Sequence, residues 1–259
     1  MGAAGQSAVV TGAGRGIGRA IAHRFAAEGL RVVVADVDDS AQEVAGETGG
    51  HAVVADLSTA AGVESLVARS RDLLGGIDVW VGNAGVERGH GLDAPDEDWD
   101  ASQAVNVLAH VRAARLLVPD WVARGGGRFV VTASAAGLLT MLGSPTYSVS
   151  KHGAVAFAEW LSATYRHRGV VVQAICPQGV RTRMMEQAAG LQGLLGRDGA
   201  LEPADVADAL WRAMADDRFL VLPHPEVAGY YQGRAADTDR WLAGMNRLQQ
   251  RLEDAGVLT

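Results

Sequence analysis

Short apolar runs rich in β-branched residues alternate along this chain with longer segments of helical period, and no other feature narrows the fold as far. The runs are SAVVT at 7–11, RVVVA at 31–35, HAVVA at 51–55, IDVWVG at 77–82, RFVVTAS at 128–134 and VVVQAIC at 170–176, with FLVLP at 219–223 after one more helical segment. Near-continuous apolar strands suit a sheet buried on both faces, and the helices between them supply the crossovers that parallel strands need. The expected architecture is α/β: a doubly wound parallel sheet of about seven strands with helices on both faces, Rossmann-like. At 259 residues and 48% hydrophobic content the chain can bury a sizeable core. No linker-like Pro/Gly/Ser tract and no repeat of about 20–50 residues interrupts the pattern. Residues 1–259 are therefore read as one domain.

The first run leads into Thr11-Gly-Ala-Gly-Arg-Gly-Ile-Gly18, after which Ile17, Ile21 and Phe25 recur at helical spacing until Gly29. Glycines at 12, 16 and 18 let the backbone turn tightly and approach a pyrophosphate, whose charge a helix N-terminus favours. Tight packing alone asks for the same glycines, but the strand-to-helix setting favours a nucleotide. The second run ends in Asp36, twenty residues after Gly16, where a carboxylate can accept hydrogen bonds from an adenosine ribose. The third ends in Asp56-Leu57 and the fourth in Gly82-Asn83-Ala84-Gly85. Both lie at strand C-termini, where doubly wound sheets bind ligands.

Tyr147 and Lys151 lie four residues apart after Pro145, so a helix there stacks them on one face. Lys151 is the only lysine; the other 22 of the 23 basic residues are arginines. A compact, strongly hydrated ammonium kept at one place in an arginine-rich chain argues for chemistry rather than solubility. Asn106 falls within a helical pattern from Trp99 to Leu117, where asparagine has poor propensity; an exposed, functionless residue is the simplest reading of it. Cys176, directly before Pro177, reads as a small buried hydrophobe without a role.

The net charge of −7 and the absence of any Lys/Arg-rich run argue against nucleic-acid binding. One cysteine cannot form an intrachain disulfide or a multi-cysteine zinc site, and the seven histidines lack metal-ligand spacing, so no metal is expected. The opening MGAAGQS has no basic n-region, Gln6 breaks the myristoylation pattern, and no apolar run approaches roughly 18 residues. A cytoplasmic protein without membrane attachment is expected.

Taken together, TGAGRGIG, the Asn-Ala-Gly at 83–85, Asn106, Ser134 thirteen residues before Tyr147, YSVSK at 147–151 and the segment Pro177 to Thr182 resemble the short-chain dehydrogenase/reductase family. Order and spacing match from residue 7 to about 222. The resemblance implies an oxidoreductase that moves a hydride between NAD(H) and a secondary alcohol or ketone, with a catalytic tetrad of Asn106, Ser134, Tyr147 and Lys151. It implies cofactor contacts from the turn (Gly12, Arg15, Gly16, Ile17, Gly18), Asp36 at the ribose, and Asp56 and Leu57 near the adenine. Asn83, Ala84 and Gly85 would line the trough, Tyr147 and Lys151 would also touch the cofactor, and Pro177, Gly179, Val180 and Thr182 would lie around the nicotinamide. In those roles Tyr147 is the base, Lys151 lowers its pKa, Ser134 holds the substrate oxygen and Asn106 holds a water. One departure is Gln178, which stands where the family usually has glycine; its side chain would narrow the nicotinamide pocket or touch substrate.

NAD is expected over NADP, because Asp36 repels a 2′-phosphate. Arg15 opposes that, but it is expected to be solvated or paired with an acid, and Val37 follows where NADP users often carry arginine. Leu138, Leu139, Met141 and Leu142, with Met184, Met185, Leu191, Leu194 and Leu195 in a lid at about 183–202, suggest an apolar, adaptable cleft. Sugar-nucleotide epimerases share YxxxK but usually show TGxxGxxG and a longer C-terminal part. A non-catalytic dinucleotide sensor and an NADP-dependent ketone reductase of the same family are the remaining alternatives. In an extension at about 223–259, Trp241, Met245, Leu248 and Leu252 form one apolar helical stripe. It could cover its own domain, the lid or a neighbouring subunit; a place at the cleft mouth or at the edge of a homodimer or homotetramer is favoured.

Overall fold

In the computed structural model, which describes residues 5–187 and 198–258, seven strands form one parallel sheet: β1 (Ser7–Thr11), β2 (Arg31–Asp36), β3 (His51–Val54), β4 (Val79–Gly82), β5 (Gly127–Thr132), β6 (Val170–Ile175) and β7 (Leu220–Val221). Their order is β3-β2-β1-β4-β5-β6-β7. The chain winds outward from β1 to β3, then restarts beside β1 and winds the other way. The C-terminal ends of β1 and β4 therefore flank the topological switch point, where such sheets bind ligands.

Period-two alternation sends Val9, Val33 and Val53 to one face and Ala8, Val10, Val32 and Val34 to the other. Helices α1 (Gly16–Ala27) and α2 (Ser40–Thr48) cover the second face with Ile21, Phe25 and Val44. Helix α3 (Ala60–Leu74) covers the first with Val63 and Leu66. The pattern from Trp99 to Leu117 is not one helix. It divides into α4 (Asp96–Gln103), a π turn (Ala104–Leu108) and α5 (Ala109–Arg124). After the short α6 (Ala136–Leu139), Pro145 opens α7 (Pro145–Tyr165) at a position where its missing N–H costs nothing.

Several strands are shorter than their apolar runs. The run at 77–82 pairs only from Val79, the one at 170–176 stops at Ile175, and the one at 219–223 keeps two strand residues, Leu220 and Val221. Strand pairing needs a neighbour in register, whereas apolar composition also serves turns packed against the sheet. Beyond β6 comes α8 (Arg183–Glu186), and Leu201 pairs back with Gly179 and Arg181. Leu191, Leu194 and Leu195 lie outside the described residues. Helix α9 (Pro203–Asp216) packs Val206 and Leu210 beside α1. The tail forms α10 (Glu226–Ala236) and α11 (Thr238–Asp254). Tyr230, Tyr231 and Trp241 pack on the core, and Arg234 hydrogen-bonds the Leu138 carbonyl. Among the described residues no helix is long and apolar enough to cross a membrane.

Candidate active site

The glycine turn and the strand ends are knitted together by backbone groups. Thr11 Oγ1 accepts from the amides of Asn83 (2.9 Å) and Ala84 (3.0 Å), while Asn83 Nδ2 donates to the carbonyls of Thr11 (3.0 Å) and Gly12 (3.1 Å). Asn83 thus joins β4 to the turn while lining the cavity beside it. Gly12 has φ of 59°, and a Cβ there would lie 2.7 Å from Ala84 Cα; a Cβ on Gly18 would overlap the Gly12 carbonyl. Only glycine allows both the left-handed backbone at 12 and this approach.

The turn fits a dinucleotide. Arg15 precedes α1 in extended conformation without a side-chain cap, and no acid occupies the first turn. The first amides of α1 are therefore left for an anion, which the helix dipole favours. Asp36 Oδ2 accepts from Gly14 N (2.9 Å) and Oδ1 from Val37 N (2.8 Å), which fixes the carboxylate at the end of β2. Arg15 is paired: Nη2 is 2.7 Å from Asp38 Oδ2 and 3.9 Å from Asp36 Oδ1. Asp56, Leu57 and the exposed Val37 line the same cavity.

Lys151 is 3% exposed; its Nζ donates to the Thr132 carbonyl at 2.9 Å and lies 5.6 Å from the Tyr147 ring centroid. A Cβ on Gly85 would lie 3.2 Å from both Lys151 Nζ and Asn106 Oδ1, so that glycine makes room where these two side chains approach. Asn106 is wholly buried, not exposed. Its Oδ1 accepts from Val86 N, and its Nδ2 donates to Val86 O and Ser150 Oγ, all at 2.9 Å. That clamp offsets the poor helical propensity of asparagine in the π turn.

Burial pushes the Tyr147 phenol up to about 12, with Ser134 hydrogen bonding pulling the other way and the Glu87 carboxylate adding to the rise. Burial likewise pushes Lys151 down to about 8. In the protein alone, desolvation of the anion thus outweighs the Ser134 hydrogen bond, and the Lys151 ammonium expected to favour phenolate is not among the causes of the shift. The sequence reading missed Thr11, Thr132, Ser150 and Glu87. Thr11 stood in the glycine motif itself; the other three had no signal without knowledge of what they face.

A single cavity of about 2060 Å³ is lined by Gly12, Arg15, Gly16, Ile17, Asp36, Asn83, Ala84 and Gly85 together with Ser134, Tyr147, Lys151, Pro177, Gly179, Val180 and Thr182. Asn106 and Gly18 stand behind this wall. A Cβ on Gly16 would lie 3.2 Å from Thr182 Cγ2, so the loop after β6 packs directly beside the turn. The volume exceeds that of a pocket for one drug-sized ligand, about 300–1,000 Å³. Trp241, Met245 and Leu248 of α11 line it too, placing three of the four stripe residues on the cavity.

A doubly wound sheet with an uncapped glycine turn at its switch point defines a dinucleotide-binding α/β protein. The family model described as short chain dehydrogenase matches residues 6–190. The chain belongs to that family, and it is an oxidoreductase that transfers a hydride between a nicotinamide cofactor and a secondary alcohol or ketone. It is 38% identical over 232 residues to 1-deoxy-11-beta-hydroxypentalenate dehydrogenase of Streptomyces exfoliatus, covering 86% of this chain and 84% of that one. It is 34% identical over 190 residues to D-beta-hydroxybutyrate dehydrogenase of Cupriavidus necator, covering 71% and 74%. A short-chain dehydrogenase/reductase of Burkholderia phymatum, solved in complex with NAD, superposes with a TM-score of 0.85 at 30% identity over 92% of this chain and 96% of that one.

Proposed function

We propose that this enzyme is an NAD-preferring dehydrogenase in which Tyr147 is the general base, Lys151 its electrostatic partner, and Ser134 the hydrogen-bond partner of the substrate oxygen. The observation that carries the reading is that one cavity is lined both by the glycine turn with Asp36 and by Ser134, Tyr147 and Lys151. A bound nicotinamide supplies the hydride acceptor and, when oxidised, a positive charge. Oxidising an alcohol releases a proton that the Tyr147 oxygen must take. Bringing the phenol from about 12 to near 8 requires roughly 5 kcal/mol of differential stabilisation. Lys151, retaining an ammonium at neutral pH and held by Thr132, contributes to this from within a low-dielectric wall. Asn106 positions the Val86 backbone and the Ser150 side of α7. Both Nδ2 hydrogens are committed, while Oδ1 keeps a second lone pair to which a water serving Lys151 can donate.

Asp36 sets the coenzyme preference. At about 4 Å and an effective dielectric near 20, each unit of like charge on a 2′-phosphate costs up to roughly 4 kcal/mol, and half of that exceeds tenfold discrimination. Arg15 is already engaged by Asp38. With one alcohol, kcat/KM should favour NAD over NADP by more than about tenfold. Asp36→Ala should narrow the gap. That variant also loses the Gly14 contact, so the ratio between coenzymes is the readout rather than the absolute rate. A wild-type preference for NADP would overturn the assignment.

A further inference from the structure

The residues that follow the β4 turn run along the start of α7: Val86 is clamped by Asn106, Ser144 Oγ donates to Glu87 Oε1 at 2.6 Å, and Thr146 hydrogen-bonds the Arg88 carbonyl. Glu87 is thereby fixed beside the first turn of the helix that carries Tyr147. Its side chain is only 12% exposed, and the exposed His90 imidazole has Nδ1 3.6 Å from the same Oε1. The Ser144 hydrogen bond and the His90 contact both use Oε1, and Glu87 lines the cavity. Ser144 and the start of α7 offset part of the cost of burying this carboxylate. They leave Oε2 open to the cavity, where a carboxylate oxygen on a mostly buried side chain is a strong acceptor for a charged or hydroxyl donor.

A second acceptor in the cavity is independent of the first. Gln178 leaves β6 beside the Ser134 segment, since Ala135 N donates to the Pro177 carbonyl at 2.8 Å. The Gln178 amide is held by His224 Nδ1 at 3.1 Å, and His224 Nε2 lies 3.2 Å from the Gly199 carbonyl. Its side-chain Oε1 is buried without a hydrogen-bond partner, and the residue lines the cavity.

We infer that Glu87 Oε2 and Gln178 Oε1 are specificity-determining acceptors for an alcohol that carries a second hydrogen-bond donor, a hydroxyl or an ammonium, besides the hydroxyl that is oxidised. The inference rests on the dehydrogenase reading above and narrows its substrate class. The cleft is apolar around Leu139, Met141 and Met245, so the substrate is a hydrocarbon frame bearing a diol or amino-alcohol function. A carboxylate at the same position would face the Glu87 charge. The coupling of Glu87 to Tyr147 adds a second signature: the carboxylate disfavours phenolate, and neutralising it should ease ionisation of the base.

The test uses the purified full chain with NAD and four matched substrates: cyclohexanol, a cyclohexanediol, an aminocyclohexanol and a hydroxycyclohexanecarboxylate. The diol or the amino alcohol should exceed cyclohexanol in kcat/KM by about tenfold or more, and the carboxylate should fall below both. In Glu87→Gln and in Gln178→Ala that ratio to cyclohexanol should collapse towards one. Glu87→Gln should also move the acid limb of the kcat profile to lower pH, which a purely structural role for the residue would not do. Equal kcat/KM for all four alcohols, preference for the carboxylate, or ratios unchanged in both variants would overturn the inference while leaving the dehydrogenase reading intact. Failure to oxidise any of the four by a protein that still binds NADH in a fluorescence titration would overturn the reading and the inference together.

Discussion

Tyr147 and Lys151, which we propose act as a pair, have ionisations that burial moves in opposite senses, the phenol up to about 12 and the ammonium down to about 8. Tyr147→Phe should lower kcat by about a thousandfold or more with little change in KM, because the lost group accepts a proton rather than binds substrate. Stopped-flow and steady-state assays of NADH formation check this, and near-normal turnover would remove Tyr147 from its role. Lys151→Arg should not restore activity. Nζ sits 2.9 Å from the Thr132 carbonyl in a space that even a methyl on Gly85 would crowd, and a planar guanidinium does not fit a site shaped for a point charge. The pairing of Tyr147 with Lys151 is proposed from their spacing, and Ser134 enters through the family resemblance. Thr132, which orients the ammonium through its backbone carbonyl, was not, because a carbonyl carries no residue-type signal.

At the scale of elements, β4 and α5 share an acid-sensitive contact. His110 on α5 is buried against Gly82, where any Cβ would overlap its ring, and burial, aided by the Lys151 charge, pushes its pKa down to about 3 from 6.5. The folded-state value is lowered, so the unfolded chain binds more protons between pH 6.5 and 3, and stability is full above that window and declines as pH falls through it. The slope attributable to this one proton is at most about 1.4 kcal/mol per pH unit. Thermal melts should show Tm falling from pH 7 to pH 5, and His110→Leu should flatten that fall; an equal pH dependence in the variant would refute the linkage. The junction of β1 and α1 is sensitive in another way. Gly18→Ala places a methyl on the Gly12 carbonyl, and NADH binding measured by fluorescence should weaken by about tenfold or more. Strand and helix types were readable from periodicity, but the π turn was not. It depends on Asn106 finding Val86 and Ser150, which are distant in sequence.

For the whole molecule, α11 closes one wall of the cavity with Trp241, Met245 and Leu248. Truncation before Ala235 should raise KM for the alcohol by about fivefold or more, since an apolar wall of that size contributes on the order of 1 kcal/mol or more to binding. Leu108, Val149 and Trp160 are left as exposed large apolar side chains on the π turn and α7. We expect a homo-oligomer that buries them, with sedimentation reporting a mass of at least two chains. A truncation that alters neither KM nor sedimentation would deny the tail both roles.

What the sequence determined by itself was whatever short-range repetition encodes. The β-branched runs specified a parallel sheet buried on both faces, TGAGRGIG specified a turn that only glycines can make, and Pro145 with Tyr147 and Lys151 specified one face of a helix. Asp36 was legible for the same reason, lying one strand and one helix from the turn. The tertiary structure alone decided what each side chain meets. It paired Arg15 with Asp38, buried Asn106 in a clamp, raised the Tyr147 phenol by desolvation, and laid α11 along the cavity. Each of these outcomes depends on groups brought together from distant parts of the chain, and their energies come from burial and orientation, neither of which has a period that a linear sequence can display.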